Sequence, residues 1–128
     1  MQSVFAHLIL DVQNMERSIG FYRDSLGFSL REMNECDGHR LAYLATGHLE
    51  ILLLEQPLRE RTPIIERGGG VVLNLRVRNL LDVARDLKAA SVSVLRDVED
   101  PLFGERTLLI ADPDGYAILL TEPVGTVH

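Results

Sequence analysis

Few residues in this chain carry groups able to do chemistry, and most of those have an ordinary use. Imidazole suits proton transfer near neutral pH and metal ligation, and the chain offers four histidines: His7, His39, His48 and His128. His39 follows Asp37-Gly38 and His48 follows Gly47, so both read as strand-end residues in solvent; His128 is the last residue and reads as mobile. His7 is different, because it heads an alternating apolar run that would hold its ring in a fixed direction. The single cysteine, Cys36, cannot form an intramolecular disulfide or a cysteine-rich zinc site. Glu35 and Asp37 flank it and raise a thiol pKa, which argues against a nucleophile. Gly68-Gly69-Gly70 precedes a strand and lacks the Lys-Ser/Thr and helix of a phosphate loop. Asp112-Pro113-Asp114-Gly115 lacks the spacing of a calcium loop and reads as a hairpin turn.

The elements that must position these groups follow from periodicity. Ser3 to Val12 alternates and reads as a strand. Asn14 then offers a helix N-cap with Glu16 in the first turn. Met15, Ile19, Tyr22 and Leu26 fall on one helical face, and Gly27 stops the helix. Phe28 to Met33, Arg40 to Ala45 and His48 to Glu55 read as three strands joined at Asp37-Gly38 and Thr46-Gly47. The order then repeats. Val71 to Val77 is a strand, and Asn79 is an N-cap with Asp82 three residues on. Leu80, Val83, Leu87 and Ala90 form an apolar helix face, and Val92 to Leu95, Arg106 to Ile110 and Tyr116 to Thr121 are strands. Asn14 to Asn79 and Val12 to Val77 are the same distance apart, 65 residues. The expected fold is α+β, two tandem βαβββ modules forming a cupped mixed sheet. Module one spans 1–56, a Pro-, Gly- and charge-rich linker 57–70, and module two 71–128. One helix cannot cover both faces of its sheet, so the two raw faces are expected to enclose a shared ligand cleft.

Composition bounds the partners. A chain of 128 residues fits one domain prior. Without Trp and with 5% aromatics, aliphatic side chains must build the core. The net charge of −6 argues against nucleic acid and anionic membrane. The first residues lack a charged leader region and reach Asp11 too early for a signal peptide or a membrane span. A cytoplasmic setting is expected.

The segment from His7 to Phe28, with Ser18, Phe21, Tyr22, Leu26, Gly27 and Phe28 in the pattern Ser-x-x-Phe-Tyr-x-x-x-Leu-Gly-Phe, resembles the opening module of the vicinal oxygen chelate superfamily. Asp112-Pro113-Asp114-Gly115-Tyr116 resembles its closing motif. That superfamily includes glyoxalase I, bleomycin- and fosfomycin-resistance proteins and extradiol dioxygenases. The resemblance covers essentially the whole chain. It implies the glyoxalase/bleomycin-resistance fold, a homodimer, and in enzymatic members a divalent metal held by His and Glu (or Gln) from the first and last strands of each module.

Carried over residue by residue, the resemblance puts one metal ligand on His7 and one on Glu50, with Glu55 as a rival. The pair would suit Zn²⁺, Ni²⁺, Mn²⁺ or Fe²⁺. Module two departs from the pattern: Val72 stands at the second His position and Leu119 at the expected carboxylate position, and neither has a lone pair to give. Strand alternation then groups His7 with Ile9 and Asp11, Glu50 with Leu52 and Leu54, Val72 with Asn74 and Arg76, and Leu119 with Ala117 and Thr121. The ligand-binding candidates are His7, Asp11, Asn74, Arg76 and Thr121, and Glu50 is the catalytic candidate. Each has a plainer reading as a strand residue, and Arg76 could equally pair with Glu50 or Asp11. Three functions compete. The first is a small-molecule-binding or resistance-type protein with an incomplete metal site, whose acidic charge would suit a cationic ligand. The second is a glyoxalase-like metal-dependent lyase or isomerase, with Glu50 moving the proton. The third is an accessory protein that binds another protein.

Overall fold

The computed structural model describes residues 1–36, 38–55, 70–102 and 104–124. Asp37 of the first hairpin turn, nearly all of the linker, and His128 lie outside the described residues. The chain divides into two compact units, Met1–Arg67 and Gly68–His128. No described helix is long and apolar enough to cross a membrane.

Unit one runs β1 (Leu8–Val12), α1 (Met15–Ile19), a π-helical segment (Gly20–Ser25), β2 (Ser29–Cys36), β3 (His39–Thr46) and β4 (Leu49–Glu55). Its sheet order is β1-β4-β3-β2, with β1 parallel to β4 and the other pairs antiparallel. The expected strand at Ser3 begins only at Leu8, because its one partner, β4, starts at Leu49 and leaves Ser3 to Phe5 nothing to pair with. Alternation sends Leu10, Val12, Ala42, Leu44, Ile51 and Leu53 into the core with Met15, Ile19 and Tyr22 from the helical segment. Each such aliphatic chain contributes roughly 1.5–3 kcal/mol.

The expected helix from Met15 to Leu26 is α-helical for only five residues. It then widens into a π turn, in which the Leu26 N–H donates to the Phe21 carbonyl at 3.0 Å, five residues back. Both neighbouring rings, Phe21 and Tyr22, are thereby buried, packed edge to face with centroids 5.0 Å apart.

Unit two repeats the order: β5 (Val72–Arg76), α2 (Leu80–Ala89), β6 (Ser93–Leu102), β7 (Glu105–Ala111) and β8 (Ala117–Pro123), in the sheet β5-β8-β7-β6. The buried face of α2 is Leu80, Ala84 and Leu87; Val83 is half-buried, and Ala90 lies past the helix end, exposed. Strand β6 is longer than expected, because its pairing with β7 continues through three register shifts. The Asp112 turn is structural: its Oδ1 accepts from the backbone N–H of Asp114 at 2.9 Å and of Tyr116 at 2.8 Å.

The two N-caps differ. Asn14 caps α1 as expected, its Oδ1 accepting from the Arg17 N–H at 3.0 Å. Asn79 does not cap α2 with its side chain; it is left-handed at φ 56°. Glu122, at the end of β8, replaces it, accepting from the Asn79 N–H at 2.7 Å and the Leu80 N–H at 3.0 Å. Glu55, at the end of β4, does the matching work in unit one, accepting from the Met15 N–H at 2.7 Å.

Candidate functional site

Each sheet has one face turned to its own helix and one turned away from it. The outward face of unit one carries the residues that alternation grouped together: His7, Ile9 and Asp11 along the first strand, and Glu50, Leu52 and Leu54 along β4. The pairing Leu8↔Ile51 puts His7 across from Glu50. Their side chains meet, His7 Nε2 to Glu50 Oε1 at 2.9 Å, each about one-third exposed. The sequence reading thus named two residues that the fold brings into direct contact. It missed a third, Tyr43 on β3, whose ring stands edge-on to His7 with centroids 5.6 Å apart and planes at 68°. The register Tyr43↔Leu52 places Tyr43 on the same outward face, so the alternation Leu41-Tyr43-Ala45 was the available signal. Asp11 is half-buried four residues along from His7, paired in register with Leu54.

The outward face of unit two carries Val72, Asn74 and Arg76 on β5 and Ala117, Leu119 and Thr121 on β8. Thr121 is buried, and its hydroxyl donates to Asn74 Oδ1 at 3.2 Å. Arg76 is exposed and pairs in register with Thr121. It has no ion pair among the described residues. Of the acids open to it in the sequence, Glu50 meets His7.

The strand registers give one further correspondence between the modules. The resemblance expects a carboxylate at Leu119. In unit one His7 lies across from Glu50, and in unit two the residue across from Val72 is Ala117. Leu119 pairs with Asn74, as Leu52 pairs with Ile9, so Leu119 is the counterpart of Leu52. The first strands repeat at 65 residues (Val12 to Val77), but the last strands repeat at 67 (Glu55 to Glu122).

The donor set decides how these residues suit a divalent ion. His7 and Glu50 give two donors; Val72, Ala117, Leu52 and Leu119 give none. Among the described residues no group of three or more His, Cys, Asp or Glu side chains converges. A catalytic zinc site ordinarily has three protein ligands, so these residues do not fit a resident four-donor metal centre.

Behind the candidate residues, charge fixes the strand ends. Arg40 Nε donates to Glu55 Oε1 at 2.9 Å, and its Nη2 reaches Glu55 Oε2 at 2.9 Å and Glu16 Oε2 at 2.7 Å. The Arg40 guanidinium, aided by the Met15 N–H, holds the Glu55 carboxyl below the usual glutamate range. The backbone N–H groups of Leu80 and Asn79 do the same for Glu122. These groups anchor the strands that carry Glu50 and Thr121.

A family model described as the Glyoxalase/Bleomycin resistance protein/Dioxygenase superfamily matches residues 4–120. Among solved structures, the chain is similar to a glyoxalase family protein from Enterococcus faecalis, with TM-score 0.73 and 20% identity over 93% of this chain and 97% of that one. It is similar to the trypanothione-dependent glyoxalase I of Leishmania major, with TM-score 0.75 and 22% identity over 94% of this chain and 87% of that one. It is also similar to TnmS3, an antibiotic binding protein from Streptomyces sp. CB03234, with TM-score 0.69 and 21% identity over 96% of this chain and 99% of that one. At these identities the likeness is one of fold.

Proposed function

The chain belongs to the glyoxalase/bleomycin resistance protein/dioxygenase superfamily, and from that premise we propose that it binds a small organic molecule on the outward sheet faces of its modules, without a resident metal. The observation that carries this reading is the short donor set: His7 and Glu50 meet at 2.9 Å, and no third His, Cys, Asp or Glu joins them among the described residues. Their module-two counterparts, Val72 and Ala117, are aliphatic. The remaining surface is the kind that small ligands use, apolar with a few fixed polar points. Ile9, Leu52 and Tyr43 supply apolar area in unit one. His7, Glu50 and Asp11 there, and Asn74, Thr121 and Arg76 in unit two, supply the polar contacts. An antibiotic-binding protein and a glyoxalase I share this fold, and the donor set favours the binding role. We further propose a homodimer, as the family resemblance implies.

The test is a thermal-shift ligand screen on protein purified without a His tag, with metal analysis of the same material. Binding that raises the melting temperature and is lost in His7→Ala and Glu50→Gln supports the reading. Stoichiometric Zn²⁺, Ni²⁺, Mn²⁺ or Fe²⁺ that disappears in His7→Ala overturns it in favour of the metal-dependent lyase. Sizing chromatography tests the dimer, and a stable monomer would sink it.

A further inference from the structure

A groove of about 440 Å³ lies at the end of the β5–β8 pair, lined by Arg76, Val77, Arg78, Glu122 and Pro123. A volume of that size suits a small ligand. Its charge is set by two exposed guanidinium groups, Arg76 and Arg78, two residues apart on the lining. Among the described residues neither has a hydrogen-bond or ion-pair partner. The lining acid, Glu122, does not neutralise them. One of its oxygens accepts from the Asn79 N–H at 2.7 Å and the other from the Leu80 N–H at 3.0 Å, and the latter also stands 3.8 Å from Arg106 Nη1. The helix start and Arg106 already balance this carboxylate, so the groove is net cationic.

The comparison with module one shows that this cation pair is not a product of the repeat. At the 65-residue offset the counterparts of Arg76 and Arg78 are Asp11 and Gln13. The Arg there, Arg40, is held between Glu16 and Glu55 by hydrogen bonds of 2.7 Å and 2.9 Å. Module two therefore has two uncommitted cations where module one has an acid and an amide. The whole-chain charge of −6 conceals this local reversal.

We propose that this groove binds an oxyanion group, a carboxylate or phosphate, of the small-molecule ligand, with Arg76 and Arg78 as its two donors. The guanidinium fork matches the geometry of both anions. The assignment rests on the small-molecule reading above and narrows it to anionic ligands, against the cationic ligand that the overall charge favoured.

Arginine side-chain Nε–Hε resonances of the full chain would be followed by NMR during titration with inorganic phosphate and, separately, with succinate. Sodium chloride at matched ionic strength is the control. The expected result is a saturable shift at Arg76 and Arg78 with at least one anion. Affinity should weaken on the order of tenfold in Arg76→Gln or Arg78→Gln, as loss of a charge-assisted hydrogen bond implies. The two titrations separate phosphate from carboxylate preference. Shifts that fail to saturate, or that chloride reproduces, overturn the assignment. Neutral compounds that bind wild type and both variants equally, while neither anion binds, would also overturn it and leave the small-molecule reading standing. Both sites are exposed, so unchanged circular dichroism should show that each variant folds.

Discussion

Glu55 and Met15, forty residues apart in sequence, are joined by a 2.7 Å hydrogen bond from the Met15 backbone N–H to Glu55 Oε2. The last strand of module one thus completes the first turn of the helix that covers it. Replacing Glu55 with Ala leaves that N–H without its acceptor and Arg40 with a single acidic partner. Loss of a cap costs about 1–2 kcal/mol, and urea denaturation of Glu55→Ala should show a loss of that order. A midpoint equal to wild type would mean that the cap carries no stability.

The same carboxylate predicts a pH dependence. Arg40, and after it the Met15 N–H, lowers the folded-state pKa of Glu55 below its ordinary value. A lowered folded pKa contributes stability that is fully present above the unfolded value of about 4.3 and is lost as pH falls through the folded value. Stability should therefore decline on acidification below about pH 4.3, and less steeply in Glu55→Gln. Parallel acid limbs for the two proteins would refute the linkage.

Arg40 and Arg106 occupy matching positions but hold their carboxylates differently. Arg40 Nε is 2.9 Å from Glu55, whereas Arg106 Nη1 is 3.8 Å from Glu122, beyond hydrogen-bond reach. Double-mutant cycles should give a larger coupling for Arg40 with Glu55 than for Arg106 with Glu122. The reverse order would show that distance is not what distinguishes the modules.

Ser91 closes α2 with φ 62°, the left-handed conformation that Gly27 adopts at φ 79° after the helical segment of module one. A residue with a Cβ is strained there. Ser91→Gly should gain about 1 kcal/mol, read as a higher thermal midpoint, and Gly27→Ala should lose a similar amount. A Ser91→Gly protein less stable than wild type would show that the hydroxyl contributes more than the strain removes.

The repeat and, among the described residues, both α-helices and the eight strands were legible because alternation and the first-strand offset are local signals. The π segment was not. Asn14 to Gly27 is one residue longer than Asn79 to Ser91, and that residue is absorbed inside the helix, where the apolar spacing still looks helical. Leu119 stands where the resemblance expects a carboxylate, whereas the residue across from Val72, as Glu50 is across from His7, is Ala117. The two positions lie two residues apart on β8 and so share a face. The caps from Glu55 and Glu122 were hidden for another reason: they join positions forty or more residues apart, and Asn79 before a helix is the stronger local signal.

The register shifts in β2 and β6 bear on a hazard that every open sheet faces. Both strands are sheet edges, and an exposed edge invites pairing with another chain. Each is interrupted, β2 between Leu30 and Glu32 and β6 at three points. Exposed Arg31, Glu32 and Glu35 on one, and Arg96, Asp97 and Glu99 on the other, put charge along the same strands. A strand arriving from a second molecule would meet a broken ladder and would have to bury these exposed charges, so these two edges resist the growth of fibrous aggregates at concentrations where the folded protein is abundant.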